Sequence, residues 1–192
     1  MEKERLLAFT DGVIAVIITI MVLEMRVPPD ARLGALASVI PVFLSYALSF
    51  VYVAIYWNNH HHFFHLVRHV NGLMLWANMI LLFWLSLVPF ATGWMGQNHF
   101  APVPTALYGV ALLMPALAWY GLQLVIIGTQ GRDSPLSRAI GRDVKGKISP
   151  VLYVAGILLA FVEARIACAI YLLVALVWLI PDRRIERVVR VR

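Results

Sequence analysis

Runs of about twenty apolar residues recur along this chain, divided by prolines and clusters of charge, and nothing else in the sequence constrains the fold as tightly. An α-helix rises 1.5 Å per residue, so such a run matches the roughly 30 Å hydrocarbon core of a bilayer. Six runs can be placed, at residues 6–26, 33–64, 71–94, 103–128, 148–163 and 166–180, with a basic tail over 181–192. Pro28 and Pro29 stop the first, Pro41 is a candidate kink in the second, and Glu163, Ala164 and Arg165 mark the turn between the last two. Of the 192 residues, 61% are hydrophobic, against about half in an ordinary soluble domain. A water-soluble fold of this size has too little interior to hide that much apolar surface. The reading is therefore all-α and polytopic, one domain over 1–192 with six transmembrane helices per subunit.

The charge pattern assigns the orientation. Taking six crossings, one side collects Lys3, Arg5, Arg68, every basic residue from Arg132 to Lys147 and every one after Pro181. The other side holds Arg26, Arg32 and Arg165. Basic residues near helix ends are retained in the cytoplasm, so both termini are expected there. The net charge of +6 is thus a topology signal. No basic face interleaved with aromatics appears, so nucleic acid is not an expected partner.

Chemistry-bearing residues are few. Cys168 is the single cysteine and lies in an apolar run. The serines lack a nucleophile-elbow setting, and neither a zincin H-E-x-x-H spacing, a Walker A loop nor a T-V-G-Y-G filter occurs. The reading is of a non-enzyme without a cofactor. His60, His61, His62, His65 and His69 crowd the end of the second run, and His61, His65 and His69 recur one helical turn apart. Neutral imidazole ligates zinc, copper or iron, but no carboxylate lies nearby and His99 falls on the opposite side, so no catalytic metal site is expected. Imidazole titrates near neutrality, which leaves a pH-sensing role open.

The first run is the most informative. Asp11 is an ionisable group within a membrane span, where a carboxylate needs a partner or a wet cavity. At 100° per residue Gly12, Val16, Thr19, Ile20 and Leu23 share one stripe, with Asp11 on another face. Periodicity alone does not decide whether that stripe packs in the bundle or lines a passage. A secondary transporter, or a proton-coupled cation carrier using Asp11, is the alternative to a channel. Such transporters carry paired repeats and broken helices in both halves, which are not evident here.

Arg5, Phe9, Thr10, Asp11, Val13, Ala15, Val16 and Thr19 spell R-x-x-x-F-[ST]-D-x-V-x-A-[IV]-x-x-T, and Trp57 to His60 spell W-x-x-H. Together these resemble the first- and second-helix signatures of the filter-less potassium channels of prokaryotes and lysosomes, in the single-repeat prokaryotic form. The resemblance implies a homotetramer in the prokaryotic plasma membrane, with helix 1 of each subunit lining a central pore for K+. It implies a constriction from Val16, Ile20 and Leu23 beside a Thr19 hydroxyl layer, and modest selectivity for potassium over sodium. It further implies a polar network holding helix 1, formed by Arg5, Phe9, Thr10, Asp11, Trp57 and His60. Thr10 stands where that family more often has serine, and Val16 where a larger aliphatic residue is usual.

Overall fold

The computed structural model describes residues 3–131 and 144–179, and every α-helix and 3-10 helix among them follows from the apolar runs. α1 spans Lys3–Leu23, a 3-10 turn Leu33–Ser38, α2 Ile40–His65, α3 Gly72–Ser86, α4 Val88–Gln97, α5 Pro102–Gln130, α6 Val144–Leu159 and α7 Ala164–Leu179. Among the described residues four stretches are long and apolar enough to cross a bilayer, namely Lys3–Leu23, Ile40–His65, Gly72–Gln97 and Pro102–Gln130, and Ala164–Leu179 is a shorter apolar helix. The tail at 181–192 and the basic residues from Arg132 to Arg142, on which the orientation argument rests in part, lie outside the described residues.

Three of the differences from the expected boundaries have a local reason. The second run does not form one helix from residue 33. It opens with the 3-10 turn, and Pro41 falls in the first turn of α2, where its missing N–H is not needed. Pro41 therefore starts α2 instead of kinking it. The third run is divided at Leu87 into α3 and α4, with Pro89 in the first turn of α4. The first helix ends at Leu23, and Glu24 and Met25 continue only as a turn ahead of the two prolines. α6 runs four residues ahead of the expected 148–163, so the α6–α7 turn falls at residues 160–163 and Ala164 and Arg165 already belong to α7. α3 is opened by Asn71, whose Oδ1 accepts from the Met74 N–H at 2.9 Å, a common form of N-cap.

Among apolar lipid tails, helices associate through close packing and inter-helix hydrogen bonds more than through the hydrophobic effect. Two cores result. One joins α1, α2, α3 and α5 through Ile14, Ile17, Met21, Phe63, Phe64, Leu81, Leu85 and Leu122. The other joins α2, α4, α5, α6 and α7 around Tyr52, Met95, Tyr108, Tyr153 and Tyr171. Glycines let the helices approach in the second. The Tyr171 ring lies over Gly109 of α5 and Gly156 of α6, so that a Cβ at residue 109 would meet the Tyr171 hydroxyl and come within 2.7 Å of Ile157. Tyr171 Oη donates to the Thr105 carbonyl at 3.4 Å, and Tyr52 Oη to the Tyr171 carbonyl at 2.5 Å. α6 and α7 are stitched by the Trp178 indole N–H donating to Ser149 Oγ at 2.8 Å.

Candidate functional site

α1 divides cleanly into two faces. Leu6, Thr10, Ile14, Ile17 and Met21 are its buried residues, spaced three or four apart as one helical stripe against α2, α3 and α4. The stripe read from the sequence, Gly12, Val16, Thr19, Ile20 and Leu23, is exposed along its whole length. Val16 is 54% and Leu23 79% exposed, values foreign to the inside of a packed protomer. Phe9 lies on the exposed side as well. A Cβ at Gly12 would meet nothing within 4 Å, so that stretch of helix surface stands open.

Thr19 is the one hydroxyl on this face. Its Oγ1 lies 2.8 Å from the Val16 carbonyl and 3.2 Å from the Ala15 carbonyl, so its proton is directed back onto α1. A hydroxyl has one proton and two lone pairs. With the proton turned inward, the outward side of Thr19 offers an acceptor oxygen among aliphatic groups.

A buried polar bridge anchors the other face of α1. Thr10 is fully buried, and its Oγ1 accepts from Asn78 Nδ2 of α3 at 2.9 Å. Asn78 Oδ1 in turn lies 2.9 Å from His60 Nε2 of α2. With the amide nitrogen committed to Thr10, the Asn78 oxygen accepts, so His60 donates through Nε2. The His60 ring stacks on Phe64, with centroids 4.3 Å apart. One side chain from each of three helices thus forms a continuous chain of hydrogen bonds in an apolar interior.

Asp11 is tied separately. The Trp57 indole N–H donates to Asp11 Oδ1 at 3.0 Å, so the carboxylate has a partner on α2. Trp57 also stacks on His61 at 6.0 Å. Arg5 is exposed and makes no hydrogen bond to Trp57 or His60 among the described residues. The N-terminal end of α1 is held instead by Lys3, whose Nζ donates to the Val67 carbonyl at 3.2 Å. The structure therefore joins Thr10 with His60, and Asp11 with Trp57, as two clusters. Asn78, the link in the first, escaped sequence reasoning. Its signal was a lone amide near the middle of the otherwise apolar run LMLWANMILLFWL.

Comparisons with known proteins converge on one group. The sequence profile of the family described as "Endosomal/lysosomal potassium channel TMEM175" matches residues 5–89, the part that holds both clusters. A protein of Chryseobacterium sp. named as a potassium channel is 54% identical over 187 residues, covering 97% of either chain. Another so named, from Streptomyces collinus, is 29% identical over 188 residues, 91% of this chain and 90% of that one. The crystal structure of a lysosomal potassium-selective channel TMEM175 homolog from Chamaesiphon minutus superposes with a TM-score of 0.82 at 26% identity, over 94% of this chain and 98% of that one.

Proposed function

Because the chain belongs to the TMEM175 family, whose members are ion channels and not enzymes, we propose that it conducts potassium passively through a pore lined by four copies of α1. In this reading each subunit crosses the plasma membrane six times with both termini in the cytoplasm. α3 and α4 share one crossing, and α6 and α7 make the last two. The permeant ion is K+, no cofactor takes part, and the partners are the lipid bilayer and three further copies of the chain. The observation that carries the reading is the exposure of Gly12, Val16, Thr19, Ile20 and Leu23 on a helix whose opposite face is fully packed.

The mechanism follows from the residue types. Aliphatic side chains at Val16, Ile20 and Leu23, repeated around an axis, make a throat narrow and apolar enough to empty of water. An ion entering it loses part of its hydration shell with nothing to replace it, so conduction stops until the throat widens slightly. Potassium holds its water less tightly than sodium and pays the smaller dehydration penalty. The outward Thr19 oxygens replace part of that shell, which adds to the preference for potassium. With no loop of backbone carbonyls to complete the coordination, the preference is modest. The buried bridge of Thr10, Asn78 and His60, with the Asp11–Trp57 bond, fixes the rotation of α1 so that this stripe faces the axis.

The test is ion flux in liposomes reconstituted with the full-length chain. Potassium should move down its gradient, electrogenically and without a counter-ion, faster than sodium. Val16→Asn and Leu23→Asn should wet the throat, raise basal flux and lower discrimination. Unchanged flux in both variants refutes the lining assignment, and flux that requires a counter-ion refutes a channel in favour of an exchanger at Asp11.

A further inference from the structure

The histidine run at the end of α2 does not act as one cluster. His60 turns inward to Asn78, whereas His61 and His65 are exposed and point at one another, Nε2 to Nε2 at 3.1 Å, with ring centroids 4.6 Å apart and planes at 81°. They stand one helical turn apart, the spacing that brings two side chains together on a helix surface. His62 touches His61 only edge-on, at 5.7 Å between centroids, because adjacent helical residues diverge. The His61 ring also stacks on Trp57, itself held by Asp11. The ring is thus supported in the orientation that aims its Nε2 at His65.

Two imidazole nitrogens facing each other share a single proton, one donating and the other accepting. Putting a metal ion in place of that proton leaves both lone pairs directed at one point. For metal–nitrogen bonds of about 2.0–2.1 Å, two ligands lie about 2.9 Å apart at a right angle and about 3.3 Å apart in a tetrahedron. The observed 3.1 Å lies between these two bites, so little side-chain movement is needed for either geometry.

We propose that His61 and His65 form a two-imidazole chelate for a borderline divalent transition metal of the copper, nickel or zinc class, with water completing the coordination. Among the described residues no group of three or more His, Cys, Asp or Glu side chains converges to hold a metal, so the protein supplies two ligands and the remaining positions stay open. Two neutral nitrogens without an oxygen donor also disfavour magnesium and calcium, which are bound through oxygen. The chelate is independent of the pore reading, since both ligands lie on α2.

The test uses the full chain, purified in detergent and free of any polyhistidine tag, titrated with copper(II) iminodiacetate, which leaves two adjacent positions for a pair of imidazoles. Electron paramagnetic resonance should show nitrogen coupling from two rings and saturation at one copper per subunit. His61→Gln and His65→Gln should each weaken binding about 100-fold, the chelate advantage of a second ligand already in place. His62→Gln and His69→Gln should leave it unchanged. Both target residues are exposed, and size-exclusion profiles matching wild type confirm that the variants fold. Retention of wild-type affinity by His65→Gln, or equal losses in His62→Gln and His69→Gln, overturns the proposal.

Discussion

Replacing Asn78 by leucine tests the bridge that holds α1. Asn78 is 2% exposed and makes two inter-helix hydrogen bonds, each of 2.9 Å, one to Thr10 and one to His60. Leucine keeps the approximate shape and removes both bonds, stranding the His60 N–H and taking a donor from Thr10. In a water-soluble interior, leaving one buried polar group unpaired costs about 1–3 kcal/mol. Between membrane helices a hydrogen bond averages nearer 0.6 kcal/mol, with a maximum near 1.7, because the unfolded chain in lipid also finds partners. Two such bonds give an expected loss of about 1–3 kcal/mol for Asn78→Leu, or about 5- to 150-fold in the folding equilibrium. Thr10→Val removes one of the two and should cost about 0.5–1.5 kcal/mol. Because both substitutions break the same Thr10–Asn78 bond, the double variant should cost about 0.6–1.5 kcal/mol less than the sum of the singles. Reversible unfolding in mixed micelles, read by tryptophan fluorescence or circular dichroism, measures all three. A fully additive cycle, or an Asn78→Leu protein as stable as wild type, would refute the view that this bridge anchors α1.

Two further outcomes follow from the same geometry. Thr19→Val keeps the shape of the side chain and deletes the outward oxygen, so potassium flux in liposomes should persist while the potassium-to-sodium ratio falls towards unity; an unchanged ratio means Thr19 takes no part in selectivity. Gly109→Ala drives a methyl group into the Tyr171 hydroxyl and Ile157, and overpacking of this kind should cost about 1–3 kcal/mol, measured as lower thermal stability in detergent. Pairing it with Tyr171→Phe removes the hydroxyl and should recover part of that loss.

What could be read in the sequence was whatever depends on run length and periodicity. The starts of α3 and α5 sit within a residue of the expected 71 and 103, where Asn71 caps the one and Pro102 opens the other. The Gly12 to Leu23 stripe follows from helical geometry, and the structure leaves it exposed on the protomer. The break at Leu87 was not legible, since Ser86, Leu87 and Val88 carry no strong stop and only the position of Pro89 in the new first turn explains it afterwards. Pro41 was misjudged because the weak helix of 33–38 looks apolar enough to continue. The anchoring bridge was half visible. Thr10 and His60 stood out through their motifs, whereas Asn78 is one amide in an apolar run and its importance depends on which helices meet there. The association of Arg5 with Trp57 and His60 has no counterpart in the hydrogen bonds of the single subunit, where Lys3 takes the tethering position.

The interruption at Leu87 also divides the packing. α3 lies chiefly along α5, while α4 lies along α2 and also touches α5, with little contact between the two halves themselves. The stretch Gly72–Gln97 thus follows two neighbours in turn, α5 in its first half and chiefly α2 in its second. Asn78 sits on the α3 half and bonds Thr10 of α1 and His60 of α2, so the bridge ties α1 and the His60 end of α2 to the half that follows α5, while α4 follows the Ser45 and Ser49 end of α2.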